Sequence, residues 1–281
     1  MKKFFQTIGI ISLLCFSFIY TEKTVTVVKE FDDIMVQIKK ASEDSRVEAI
    51  EGEVSDNTII PGISGSEIDI DKSYSKMKRY GKYNEKLLEY TSIKPNINLY
   101  NNINKYIIKG NKNKNMVSLL FLVDSNDSVT NILNTLKSKD IKATFFLDGN
   151  WVEKNNDVLI NIINDGHEIG NLGYNYTYTT SSFSWLDSKI KKTSGQGFSY
   201  CYHKTDNNDA LMLCAMNGNF SIKPSIEVNQ NPTITIKEKL SAGDLIGIEV
   251  TDELERELSI ILTFINSKGY KMATLGEHLQ E

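Results

Sequence analysis

The sequence predicts an α/β domain of parallel strands joined by right-handed crossovers, carried behind an N-terminal membrane anchor and a stalk. Three observations predict it. From Met116 onward, apolar runs of strand length alternate with segments of helical periodicity. Those runs are apolar at consecutive positions, as in strands covered on both faces. At the N-terminus, two lysines precede a third kind of apolar run, too long for a strand.

That first run begins after Met1-Lys2-Lys3 and ends at Tyr20. About 17 residues span roughly 25 Å as a helix, slightly less than a bilayer core. A cleaved signal peptide would share the charge pattern. However, Ser17-Phe18-Ile19-Tyr20-Thr21 offers no small-x-small cleavage site, and Cys15 follows Leu14 where lipid attachment requires a small residue. The expected boundaries are an anchor over 1–21, a stalk and irregular region over 22–111, and the α/β domain over 112–281. Basic residues before the anchor and Glu22 after it place the body outside the cytoplasm, tethered to the cell membrane.

Within the stalk, Ile34, Ile38 and Ala41 recur at helical spacing. Pro61-Gly62 and Gly65 mark turns, Ser73–Tyr80 and Asn84–Tyr90 suit short helices, and Asn101–Asn115 reads as a polar linker. In the domain, Val117–Val123 is a strand buried on both faces. Val129, Ile132, Leu133 and Leu136 form a helical face, and Ala143–Leu147 is a second strand. Asp157 suits the cap of a helix that Gly166 ends, and a third strand starts near Glu168. Leu245–Val250 is a further strand, Asp252 and Glu255 suggest a capping box, and Gly269 stops that helix before a last strand over 270–273. Pattern alone leaves an open sheet and a barrel equally acceptable.

The chain has 281 residues, 40% of them hydrophobic, and a formal net charge of -4, which argues against a nucleic-acid partner. Its three cysteines are no disulfide framework, and whether Cys201 and Cys214 pair is open. Nucleophile-elbow, phosphate-loop and dinucleotide fingerprints are absent.

Ile141–Gly149, Gly166-His167-Glu168-Ile169-Gly170-Asn171, Gly243-Asp244-Leu245-Ile246 and Lys268–Leu275 fall in the order and at the spacings of the polysaccharide deacetylases, a carbohydrate esterase family that the chain resembles. The resemblance runs from about residue 116 to the C-terminus. Ile60-Pro61-Gly62 and Ile68–Met77 are similar to a sporulation-associated, membrane-anchored branch with degenerate motifs. The resemblance implies a distorted (β/α), TIM-like barrel. It also implies zinc or another divalent ion at the strands' C-terminal ends, activating water against an N-acetyl sugar.

The residues that would carry this chemistry are missing. The catalytic base position is Leu122, the arginine position is Ser199 and the acid histidine position is Glu249. The metal-ligand positions are Val123, Leu172 and Tyr176. Aliphatic carbon is no donor to a hard cation, and a neutral phenol is a poor one. No cofactor is therefore expected. The three histidines lack metal-ligand spacing, and His167 reads as structural.

Two readings follow. In the first, the chain is a catalytically inactive member that binds peptidoglycan or another N-acetylated glycan, or acts as a scaffold for an unidentified protein. Asp124, Asp148, Trp151, Tyr174, Tyr176, Tyr202 and Glu249 are then the candidate substrate-binding residues, although packing is the ordinary role of such aromatics. In the second, it is an active metal-dependent N-deacetylase using Asp124, Asp148 and Glu249 as substitutes.

Overall fold

The computed structural model describes residues 32–281, together with Ile11 and Ser17. The anchor expected over 1–21 otherwise lies outside the described residues. Among the described residues no helix is long and apolar enough to cross a membrane.

In chain order the elements are α1 (Asp33–Ser45), β1 (Glu53–Val54), β2 (Thr58–Ile60), β3 (Gly65–Ile68), α2 (Ile70–Lys78), β4 (Tyr90–Ile93), β5 (Tyr106–Ile107), β6 (Met116–Val123), α3 (Thr130–Ser138), β7 (Thr144–Leu147), α4 (Gly149–Lys154) and α5 (Asn156–Asn164). They continue with β8 (Glu168–Asn171), α6 (Thr180–Ser194), β9 (Tyr200–Tyr202), α7 (Asn208–Met216), β10 (Phe220–Ile222), β11 (Ile226–Val228), α8 (Pro232–Lys239), β12 (Leu245–Glu249), α9 (Asp252–Ser267), β13 (Lys271–Met272) and α10 (Leu275–Leu279).

These elements divide between two units, Met1–Ala49 with Ser64–Ile93, and Ile50–Ile63 with Lys94–Glu281. The smaller unit holds α1, α2 and the antiparallel pair β3–β4. Ile34, Ile38, Ile68 and Met77 are its core, and the Asp32 side chain caps α1 by accepting from the Ile34 N–H at 2.9 Å. The region expected to be a stalk is therefore partly a packed module. Its apolar residues are spread over two helices and a hairpin, so no single segment carries a strong period.

In the larger unit one sheet runs in the order β1-β2-β5-β10-β9-β8-β7-β6-β12-β11, with β13 added to β6. All of its pairings are parallel except β1–β2. The path ends at β1 and β11, so the expected barrel is an open, curled half-barrel. β2 and β5 come from the region read as stalk and polar linker. Strands of two or three residues, such as Tyr106–Ile107, are too short to show a period.

Both faces of the sheet are covered, which explains the unbroken apolar runs. Val117, Leu119, Phe121 and Val123 of β6 pack into the core that includes Ile132 and Leu136 of α3 and Leu254, Leu258 and Ile261 of α9. Leu120 and Leu122 pack on the other face with Phe146, Leu172, Tyr202, Ile222 and Leu245. Each such buried side chain contributes about 1.5–3 kcal/mol. α10 closes the N-terminal end of this inner face. Leu275 and Leu279 join the inner cluster, and the Leu275 N–H donates to Thr144 Oγ1 at 3.0 Å. Two local expectations differ. Asp157 lies inside the first turn of α5, and α9 is capped by Thr251, whose Oγ1 accepts from the Leu254 N–H at 3.1 Å.

Candidate functional site

Because the long strands are parallel, the loops after β6, β7, β8, β9 and β12 emerge on one edge, opposite α10. That edge is where a curled α/β sheet presents a site. β6 ends with Leu122 in the inner cluster and Val123 in the outer core. Asp124 then begins an exposed loop. Its Oδ1 accepts from the Ser125 N–H at 2.6 Å, and its own N–H donates to Asp127 Oδ2 at 2.6 Å. Burial pushes the Asp127 carboxyl up, against the opposing pull of that hydrogen bond.

Asp148 follows β7 and is fully buried. Its Oδ1 accepts from the Asn150 N–H at 2.8 Å, capping α4, and its Oδ2 accepts from the Asn175 N–H at 2.6 Å. Both oxygens are thus committed to backbone. Trp151, one turn on, is 1% exposed, with its indole N–H on the Asp127 carbonyl at 2.8 Å.

After β8, Leu172 is fully buried in the inner cluster. A tight turn follows, closed by reciprocal Tyr174 and Thr177 backbone bonds of 2.9 Å. Its central residues Asn175 and Tyr176 both have positive φ, 49° and 60°. Hairpin turns of this hand favour Asn-Gly, and a bulky second residue is strained by roughly 1–2 kcal/mol. The Asp148–Asn175 bond and the Tyr176 ring offset this strain, because the ring packs on the inner cluster like a plug. Lys204 Nζ lies 5.1 Å from the centre of that ring and 2.7 Å from Glu249 Oε1. Burial raises the Tyr176 hydroxyl far above its usual range. The carboxylates of Glu249, Asp124, Asp127 and Asp148 raise it further.

Tyr202 ends β9 at 1% exposure. Its ring meets Phe146 edge-on at 5.3 Å, and its hydroxyl donates to Glu227 Oε1 at 3.4 Å. Gly247 makes room for it, since a Cβ there would lie 2.6 Å from the Tyr202 oxygen. Tyr174 lies across Gly149 and is half-buried, its hydroxyl on Glu153 at 3.2 Å. Ser199 precedes β9 and therefore lies at the opposite edge of the sheet.

The mouth thus brings together Leu122, Leu172, Tyr176, Asp124 and Glu249, and it does not bring Ser199. Three expected ligand contacts require correction. Trp151 and Tyr202 offer no free ring face because packing consumes both, and Asp148 is spent on two backbone N–H groups. The sequence reading missed Asp127, Lys204 and Glu227. Lys204 was detectable in principle, since it stands two residues past Tyr202 at a strand's C-terminal end.

Among the described residues, no three His, Cys, Asp or Glu side chains are grouped so as to hold a metal ion. A divalent cation at Leu122, Val123 and Leu172 would meet only carbon, so the residues present do not fit the ion. The three histidines are buried, each with burial lowering its pKa to about 4. His203 stacks on Tyr178 at 5.4 Å, and His278 Nδ1 is 2.9 Å from Ser118 Oγ. Cys201 and Cys214 form a disulfide that ties α7 to β9.

Residues 109–196 match the family model for polysaccharide deacetylase. The chain is 31% identical over 246 residues to the uncharacterized protein YlxY of Bacillus subtilis, covering 79% of this chain and 75% of that protein. Among solved structures, wild-type BA3943, a CE4 family pseudoenzyme from Bacillus anthracis, superposes with a TM-score of 0.67 at 23% identity. That match covers 89% of this chain and 96% of BA3943. A family 4 carbohydrate esterase from Bacillus anthracis superposes with a TM-score of 0.54 at 21% identity, covering 64% of this chain and 91% of the esterase.

Proposed function

The chain belongs to the polysaccharide deacetylase family, and we propose that it is a member that binds without cutting: a catalytically inactive envelope protein that engages peptidoglycan or another N-acetylated glycan. One observation carries this reading. Leu122 and Leu172, at the base and metal-ligand positions, belong to a single apolar cluster that the Tyr176 ring covers. Hydrolysis of an amide needs a polarised carbonyl and an activated water. At this mouth both would face aliphatic carbon. Tyr176, Asp124 and the Lys204–Glu249 pair remain at the rim, where polar groups can hydrogen-bond sugar hydroxyls.

The envelope part of the proposal rests on chemistry distributed along the chain. The two lysines ahead of the first apolar run suit an anchor with the body outside. The disulfide between Cys201 and Cys214 suits an oxidising compartment. A forespore surface is one such setting, in keeping with the sporulation-branch resemblance of residues 60–77.

The test uses the purified full chain. Bound divalent metal is measured together with acetate release from peptidoglycan and chito-oligosaccharides, and then retention on insoluble peptidoglycan. No metal, no acetate and clear retention are expected. Stoichiometric metal with acetate release that a chelator abolishes would overturn the reading in favour of an active N-deacetylase. Failure to bind any glycan would remove the glycan and leave a protein scaffold.

A further inference from the structure

The chain has two tryptophans in opposite settings. Trp151 is packed away, with its indole N–H on the Asp127 carbonyl. Trp185, in the second turn of α6, is 37% exposed, and among the described residues its indole N–H has no acceptor.

The neighbours of Trp185 keep one side of the ring open. On its own helix the residues at i−4 and i+3 are Ser181 and Ser188, both exposed, and Ser184 beside it is exposed too. None of the three is long enough to cover an indole. On its other side the ring meets Tyr174 edge-on, with centroids 6.0 Å apart and planes at 66°. Tyr174 is itself held in place. It crosses Gly149, where a Cβ would lie 2.1 Å from its ring, and its hydroxyl donates to Glu153 Oε1 at 3.2 Å. The two rings therefore form a fixed corner.

Position ties this corner to the mouth. Tyr174 and Tyr176 are two residues apart in the tight turn after β8. Side chains on a helix lean toward its N-terminus, so the Trp185 ring lies over the first turn of α6, the end nearer that turn. A molecule held at Tyr176 and continuing past Tyr174 meets Trp185 next.

The chemistry of the corner selects a sugar ring. A pyranose has apolar C–H faces and an edge of hydroxyls. The open indole takes a face, while the serine hydroxyls and the Glu153 carboxylate can pair with the edge. A hydrocarbon would leave those polar groups facing carbon, and an anion would meet Glu153.

We infer that Trp185 and Tyr174 form a second sugar subsite, which holds the unit next to the one at the mouth. The chain then recognises an oligosaccharide rather than a single sugar, and Trp185 takes the stacking role that the sequence alone suggested for Trp151. The inference rests on the glycan reading of the mouth.

The test titrates the full chain with tetra-N-acetylchitotetraose and follows heat and tryptophan emission. Saturable binding with a blue shift is expected, because Trp151 is already buried and Trp185 is the ring a ligand would cover. Trp185→Ala should lose the blue shift and bind about tenfold more weakly, whereas Trp185→Tyr should retain most of the affinity. Ser188→Arg leaves the packing of Trp185 intact and lays a guanidinium on its open face, so it should weaken binding as well. Binding by the native chain that Trp185→Ala and Ser188→Arg leave unchanged would overturn the second subsite while the glycan reading stood. Equal affinity for N-acetylglucosamine alone would also overturn it. No binding by the native chain would overturn both the subsite and the glycan reading.

Discussion

Replacing Leu122 by Asp restores the carboxylate of the family's base position to a place that has become apolar, and the cost can be worked from its surroundings. Leu122 is 3% exposed and lies opposite Glu249 in the β6–β12 register. Losing the leucine from the inner cluster removes about 2–3 kcal/mol of burial. The new carboxyl would have no cation of its own, since Lys204 is held by Glu249, so burial and the Glu249 charge both raise its pKa. Each unit of increase costs about 1.4 kcal/mol once the unfolded chain ionises. In the folded state the group holds its proton above the unfolded value of about 3.9, so stability falls as pH rises from there to the raised folded pKa. Leu122→Asn loses the same packing without the charge. Urea unfolding followed by the fluorescence of Trp151 and Trp185, both in the larger unit, should show Asp and Asn equal near pH 4. Asp should be about 2 kcal/mol or more weaker near pH 8. Equal stability of the two variants across that range would mean that water reaches position 122, and the reasoning from an apolar mouth would fail.

The three buried histidines predict acid sensitivity. With folded pKa values of about 4 against 6.5, stability is full above pH 6.5 and is lost as pH falls toward 4, by at most about 3 kcal/mol for each ring. A urea series at stepped pH reads this loss, and replacing His203 by Phe should flatten part of it. The disulfide spans 13 residues of sequence separation and should contribute about 3 kcal/mol. A reducing agent should therefore lower the unfolding midpoint of the native chain and leave that of a Cys201→Ser, Cys214→Ser double variant unchanged. Gly110→Ala would place a Cβ 2.2 Å from His278 Nε2, so it should destabilise by about 1–3 kcal/mol in the same assay, despite being the mildest of substitutions.

The strand–helix alternation after Met116 was legible because β6, β7 and β12 are covered on both faces, and two-sided burial writes itself as a continuous apolar run. The loss of donors at positions 122, 123 and 172 was legible for a simpler reason. Residue type alone decides whether a side chain can hold a proton or a cation, so no fold can restore the chemistry at those positions. What sequence could not decide was which aromatic and carboxylate side chains near the mouth are free. Trp151, Tyr202 and Asp148 resemble binding residues in the chain and are structural in the fold, because their partners are Asp127, Glu227 and Asn175, far along the sequence or on other strands. The two-residue strands of the N-terminal region and the pairing of Lys204 with Glu249 share that origin. Each depends on groups that only tertiary packing brings together, and local pattern carries no trace of them.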